Sequence, residues 1–439
     1  MKRICIVIST LFWLSTLSSV FGQDTLYQKL TIPDLHRLAL ANNQQLKISR
    51  MGIGIASQRV EVVKTLRNPV LTATFGAAYL GDASVLSTDF SEKTSVPMPH
   101  FANSFALQAS QAVFRGGVIE NNIRVAGLQE QLASLSNDRN QLDIKLLVTG
   151  NYLDLFRLYS QRQVYGKNIQ LAQLRLNNIN KMHERGMVTR NDVIRTELLI
   201  TNLGTAVKQI NNNIAILSQQ LNIALALPEN TFIVPDTTIL AALPIAGNLD
   251  AYLDFAYQNY PDIKAAGVNT RIAETNVQIS KADKLPVISL VAGNTLARPI
   301  TTSRPAIDMY SNGWQAGVSA SYNISSLYNA NKKIRQSRMI ASQQQQMQEL
   351  QRQNIENAVK TAFIKNREAN QVRENALKSM ELAEENFRIV EKKYYNQLAL
   401  LIDVVDATNT RLDAELQKTN AEINIIYTWY QLQKETGNL

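Results

Sequence analysis

The chain has a single cysteine, Cys5, and it lies inside an N-terminal segment patterned for export. Met1-Lys2-Arg3 precedes an apolar run from Ile4 to Leu17, and small and polar residues ending Val20-Phe21-Gly22-Gln23 follow. Basic, apolar and small-residue regions in that order mark a secretory signal peptide. Residues 1–22 are expected to be removed, with cleavage after Gly22. That leaves a chain with no disulfide, no thiol nucleophile and no cysteine to acylate. Long apolar runs are also missing. The first is shorter than the ~20 residues of a spanning helix, and no later stretch reaches about 18. If this exported chain enters a membrane, it does so with β-strands.

Histidine is equally sparse. His36, His100 and His183 fall on an early helix, in a loop and at a hairpin tip. No HExxH, GxSxG, GxxxxGK or CxxC pattern accompanies them, so neither catalysis nor a metal or cofactor is expected. The formal charge is +9, or +7 without Lys2 and Arg3, and basic and acidic residues are interspersed throughout. That pattern reads as a solvated helical surface, without the basic cluster or stacking aromatics that nucleic acid requires. Only 18 glycines and 11 prolines punctuate 439 residues, which favours long helices over a string of small globular domains.

What the chain does have is the same layout twice, at an offset of about 211 to 217 residues. Pro69-Val70-Leu71-Thr72-Ala73-Thr74-Phe75-Gly76 corresponds to Pro286-Val287-Ile288-Ser289-Leu290-Val291-Ala292-Gly293, and Asp192-Val193-Ile194 to Asp403-Val404-Val405. The copies are assigned to residues 23–227 and 228–439, with an irregular joint at 228–247. Each copy opens on a helix, expected at 33–66 and about 249–284, ended by Asn68-Pro69 and Leu285-Pro286.

After each proline the period switches to two. Leu71, Ala73, Phe75, Ala77 and Tyr79 share one face and Thr72, Thr74, Gly76 and Ala78 the other; Ile288, Leu290, Ala292 and Leu296 repeat the apolar row. A polar loop follows, residues 81–103 or 298–312, and then a returning strand. Phe105, Leu107, Ala109 and Val113 alternate with small or polar residues, as do Trp314, Ala316, Val318, Ala320 and Tyr322. An apolar outer row and a small polar inner row fit a transmembrane barrel, with Tyr79, Phe105, Trp314 and Tyr322 as interface aromatics against outer-membrane lipid. A soluble sandwich edge shows the same alternation. Four strands cannot close around a channel, so the membrane reading requires several chains to share one sheet.

From Gly117 the pattern is helical to Arg185-Gly186, roughly 100 Å at 1.5 Å per residue. Leu128, Leu132, Leu135, Leu142, Leu146 and Leu153 trace a coiled-coil seam. A helix of similar length runs from about Asn329 to Tyr395. Each reverses at a tip and returns as a shorter helix, residues 191–227 and 401–436.

This doubled order resembles the TolC-like outer-membrane factor family. So does Gln111-Ala112-Val113-Phe114-Arg115-Gly116-Gly117, which is similar to the family's apolar-Phe-x-Gly-Gly element, with Tyr322-Asn323-Ile324-Ser325-Ser326-Leu327 as a divergent counterpart. The resemblance covers the whole mature chain. It implies a mainly α fold with β: a homotrimer with four strands per chain in one 12-stranded outer-membrane barrel, continued by a periplasmic α-helical coiled-coil barrel. It implies the exit duct of an efflux pump or type I secretion system, working with a periplasmic adaptor and an inner-membrane pump of RND or ABC type. A secreted coiled-coil scaffold or adhesin with its strands in a soluble cap is the competing expectation.

The tips carry the site implied by the resemblance. The family's Lys-Tyr-x-x-Gly-x-x-x-x-x-Asp-Val-Leu-Asp-Ala pattern reads here as Lys393 to Ala407, with Gln397 in place of the glycine. Asp403 and Asp406 match the acidic rings at the closed periplasmic entrance. They stand i and i+3 on a helix, so threefold symmetry would gather six carboxylates on one axis and favour cations. Acids at a helix start also suit its dipole. Tyr394 and Asp192 match the latch that holds the entrance shut, while the family's further arginine falls on Ala399. Gly186 permits the first reversal. Met187, Val188, Leu398 and Leu400 are the apolar tip residues that would seat the adaptor.

Overall fold

The computed structural model describes residues 26–241, 243–303 and 305–439, so the expected signal segment 1–22 lies outside the described residues. In chain order the first copy comprises β1 (Leu26–Leu30), α1 (Ile32–Asn42), α2 (Gln44–Lys64), β2 (Val70–Tyr79), β3 (Ala83–Leu86), β4 (Lys93–Val96), β5 (Phe101–Phe114), α3 (Val118–Glu184) and α4 (Arg190–Leu225). The second comprises β6 (Thr231–Pro235), α5 (Leu249–Asn259), α6 (Pro261–Ala282), β7 (Val287–Arg298), β8 (Ser311–Ser321), α7 (Ser326–Tyr395) and α8 (Leu401–Thr436).

Each opening helix is broken once, where unbroken helices were expected. Asn43 ends α1 by donating its backbone N–H to Ala39 O (2.9 Å), and its Oδ1 accepts from Gln45 N (3.0 Å) to start α2. In the second copy Tyr260 precedes Pro261, whose ring disfavours helical backbone at the residue before it. The apolar period runs straight through both breaks and hides them.

The chain condenses into two units, each drawn from both copies. One contains residues 26–47, 140–260 and 355–439; the other contains 48–139 and 261–354. The first is centred on fully buried Leu35, Leu46, Val148, Leu155, Leu221, Leu225 and Ile233. Here β1 and β6 pair in parallel, and the Tyr152 hydroxyl donates to Leu30 O (2.7 Å) and accepts from Asp236 N (2.8 Å). The stretch 228–247, expected to be irregular, therefore contains a strand. Its five residues bury alternate side chains, a signal too short to separate from the prolines around it.

The second unit holds an antiparallel sheet in the order β2-β5-β7-β8. The 81–103 segment, expected to be a loop, contains the β3–β4 hairpin, which turns at Asp89-Phe90. Glycine is required at the exit from β5. Gly116 has φ +60°, and a Cβ there would lie 2.9 Å from that of Ala282.

Candidate functional site: the sheet faces and the paired hairpin tips

Register decides what the sheet presents. Leu71 pairs with Ala109 and Ala109 with Ala292, which pairs with Ala316; Phe75, Phe105 and Leu296 form a parallel row. Directly paired residues share a face, so the apolar rows of the four strands coincide as far as the irregularity between Ala112 and Phe114, where Phe114 pairs with Ile288 in place of the expected Val113. The opposite face aligns Thr72, Gln108, Gly293 and Gln315 in one row and Gly76, Ser104, Ala297 and Ser311 in another. Trp314 is 81 % exposed and Val318 68 %, although both lie on the apolar face. Among the described residues no strand lies beside the outer edges of β2 and β8. Of the four expected interface aromatics, Tyr79 sits at the loop end of β2, stacked on His100 at 5.1 Å, and Tyr322 follows the helix end of β8. Phe105 and Trp314 lie within their strands, nearer the loop end.

The two tips are built alike. In the first, Gly186 takes φ +70° and donates to His183 O (2.8 Å), while Met187 N reaches back to Met182 O (2.9 Å). This is the double bond of a Schellman stop. Thr189 then caps α4: its Oγ1 accepts from Asp192 N (3.4 Å), and Asp192 Oδ2 accepts from Thr189 N (2.9 Å) and Oγ1 (2.8 Å). In the second tip, Gln397 takes φ +61° and donates to Tyr394 O (2.9 Å), and Leu398 N bonds Lys393 O (2.8 Å). Asp403 Oδ2 accepts from Leu400 N (2.9 Å), but the leucine side chain returns nothing.

Tyr394 is buried with Ile179, Val193, Leu401 and Val404 in an apolar cluster that joins the two tips. Its hydroxyl has no hydrogen-bond partner among the described residues. Burial first, and then the charge of Asp192, hold its phenol above the usual value. Tyr394 and Asp192 are thus neighbours without a hydrogen bond, and the Asp192 carboxylate serves the helix cap. A cavity of about 460 Å³ opens beside them, lined by Met187, Thr189, Asp192, Tyr394, Ala399 and Leu400 among others. Val188 and Ala399 pack against the tip cluster, whereas Met187, Leu398 and Leu400 are exposed, Leu398 by 76 %. Asp403 and Asp406 stand exposed on one face of α8, opposite buried Leu401 and Val404.

Sequence reasoning missed three side chains. Arg175 of α3 and Arg411 of α8 are 5 % and 9 % exposed, and both lie against the ring of Phe387 of α7. The available signal was a charge at a seam position: Arg175 stands between buried Ala172 and Ile179 at three- and four-residue steps. Among the described residues no group of His, Asp or Glu is placed to hold a metal ion, and no helix is long and apolar enough to cross a membrane.

The model of the outer membrane efflux protein family matches residues 253–438. The outer membrane efflux protein BepC of Brucella suis biovar 1 (strain 1330) is 22 % identical over 413 residues, 91 % of this chain and 84 % of BepC. The second copy thus matches the outer membrane efflux protein family, and the chain as a whole is similar to its TolC-like members. Solved structures share the fold. CusC aligns over 97 % of this chain and 96 % of its own with a TM-score of 0.77 at 15 % identity. VceC of Vibrio cholerae aligns over 92 % and 96 % with a TM-score of 0.73 at 14 % identity. These likenesses support an outer-membrane efflux channel extending into the periplasm, a transporter role and not an enzyme's. Its four antiparallel strands and long helices, in two repeats, are those of the TolC-like fold.

Proposed function

We propose that three copies of this chain close one 12-stranded barrel and form the exit duct of a tripartite system, fed by an inner-membrane RND or ABC-type pump through a periplasmic adaptor. The observation that carries the proposal is the sheet with two open edges. An apolar face ~10 residues tall suits lipid, but unpaired strand edges do not survive there. Closure by further copies removes both edges at once, β2 of one copy meeting β8 of the next. The helices leading to and from those edges support this arrangement. Ile48, Met51, Ile55 and Val62 are exposed along α2 at coiled-coil spacing, and Met339, Ile340, Met347 and Leu350 along α7.

Within this duct Asp403 and Asp406 line an acidic constriction at the entrance, and exposed Met187, Leu398 and Leu400 seat the adaptor, with Gly186 setting the turn and Val188 backing it. Because Tyr394 and Asp192 share no hydrogen bond, closure rests on packing in the tip cluster more than on that pair. The testing experiment places a single cysteine at Leu398 in the mature chain, attaches a cleavable photo-crosslinker in the native envelope and identifies what is captured by mass spectrometry. Capture of an adaptor with its pump supports the reading. Capture of nothing but copies of this chain removes the docking surface, and a soluble, uncrosslinked monomer overturns the duct.

A further inference from the structure

We propose that each chain carries a clamp between its two hairpins in which Phe387 holds the entrance closed while Arg175 and Arg411, both set against its ring, keep the closed form poised to open. The proposal rests on the reading of the chain as a gated duct. The Arg411 guanidinium carbon lies 4.1 Å from the centre of the Phe387 ring and that of Arg175 lies 5.7 Å from it. Arg175 donates to Thr408 Oγ1 (3.1 Å) and Glu391 Oε1 (3.4 Å), and Arg411 donates to Asn168 Oδ1 (3.2 Å). Glu384 stays 3.8 Å from Arg411, and Arg411 Nε has no partner. Both carboxylates are substantially exposed, with side chains 34 % and 55 % accessible.

The clamp ties α3 of the first hairpin to α7 and α8 of the second. On α7, Phe387 is seven residues from Tyr394, about two turns from the tip cluster. Among the described residues, the side-chain hydrogen bonds that cross between the hairpins near the tips belong to this clamp, since the Tyr394 hydroxyl bonds nothing.

The two kinds of residue pull in opposite directions. The phenyl ring gains burial and its contact with Arg175 only while the hairpins are together, whereas its contact with Arg411 lies within the second hairpin, so the ring favours closure through the first of these. Each guanidinium has given up water for few and partly exposed partners, and two like charges share one ring. Parting the hairpins rehydrates both arginines. Replacing buried ionic groups with apolar side chains of similar length commonly leaves a packed seam as stable or more so, while removing the central apolar group weakens it. Phenylalanine and arginine variants should therefore change gating with opposite signs.

Single-channel recording of the full-length assembled protein in planar bilayers tests this, with assembly checked on semi-native gels. Phe387→Ala should raise the frequency of spontaneous openings tenfold or more, whereas Phe387→Tyr, which keeps the ring, should leave it near wild type. Arg175→Met with Arg411→Met should lower it by about fivefold or more. If the double methionine variant opens more often, the arginines act as glue and the opposing-sign mechanism is wrong. If assembled Phe387→Ala and Phe387→Tyr channels gate like wild type, the clamp has no part in closure. Wild-type protein that inserts without conducting would instead refute the duct reading itself.

Discussion

Adjacent residues in the middle of β8 offer a direct test of which face meets lipid. Ala316 is the central residue of Ser311–Ser321, pairs with Ala292 and lies between Trp314 and Val318 on the apolar face. Gln315 points the other way, in the row of Gln108 and Gly293. An arginine on the lipid face of a barrel near the bilayer midplane costs roughly 2–4 kcal/mol, so three copies of Ala316→Arg would cost about 6–12 kcal/mol per barrel. That rivals the whole stability of an ordinary domain. Gln315→Arg places the same side chain in the lumen, where it stays hydrated and adds three positive charges to the path. Outer-membrane fractionation with heat-modifiable gel migration, followed by bilayer recording, reads both effects. Ala316→Arg should abolish the inserted assembly, while Gln315→Arg should insert normally and shift selectivity toward anions. If both assemble equally well, or if Gln315→Arg alone fails, the register assigned to the apolar face is wrong and the sheet does not meet lipid in this way.

The acidic face of α8 should set ion preference. Asp403→Asn with Asp406→Asn should reduce cation selectivity and block by multivalent cations while retaining an acceptor for Leu400 N; unchanged reversal potentials would place these carboxylates outside the path. His36, hydrogen-bonded to Thr149 Oγ1 at 2.8 Å, is pushed down to about 4 by burial and then by Lys145. Its folded pKa lies below the ordinary 6.5, so the unfolded chain binds the proton more readily. Thermal stability should therefore fall as pH drops from 6.5 toward 4, and His36→Gln should flatten that part of the profile; parallel profiles would exclude the imidazole as its source. At the tips, hydrogen exchange should be about 30-fold faster at the Leu398 amide than at Met187, and Gln397→Gly with Leu400→Thr should remove most of the difference. Equal protection in the wild-type chain would contradict the cost assigned to the second turn.

The fold was legible wherever one local rule ran uninterrupted for many residues. The two long helices lack proline throughout, and the four sheet strands alternate long enough for the apolar and polar faces to separate, although β5 shifts register between Ala112 and Phe114. Detection failed where structure depends on a partner far along the chain. β1 and β6 are five residues each and are stabilised by pairing about 200 positions apart. The breaks at Asn43 and Tyr260 leave the apolar period intact, so only the capping geometry reveals them. At the site, Gly186 was readable because a left-handed turn favours glycine. The role of Asp192 was not, since a carboxylate at a helix start looks the same whether it caps, gates or latches. Arg175 and Arg411 were hidden because a charge in a repeating heptad normally means an exposed position, and only the packed seam shows both against Phe387.

The repeat itself supplies an internal control for the tips. At an offset of 211 residues, Gly186 becomes Gln397, Thr189 becomes Leu400 and Asp192 remains an acid as Asp403. The backbone solution is unchanged, so the two tips differ only in how well their side chains suit it. No atom lies within 4 Å of where a Cβ on Gly186 would sit, so what glycine contributes there is conformational freedom and not space. A side chain in the left-handed region costs about 1 kcal/mol or somewhat more, and losing the hydroxyl half of a capping box about 1 more. The second tip is therefore weaker by roughly 2 kcal/mol at an identical fold. The deficit falls on the hairpin that carries Asp403, Asp406, Phe387 and Arg411, and the first hairpin keeps every local stabiliser. The proposed gate needs one rigid and one yielding partner, and two residues of a duplicated turn, Gln397 and Leu400, supply the difference between the tips.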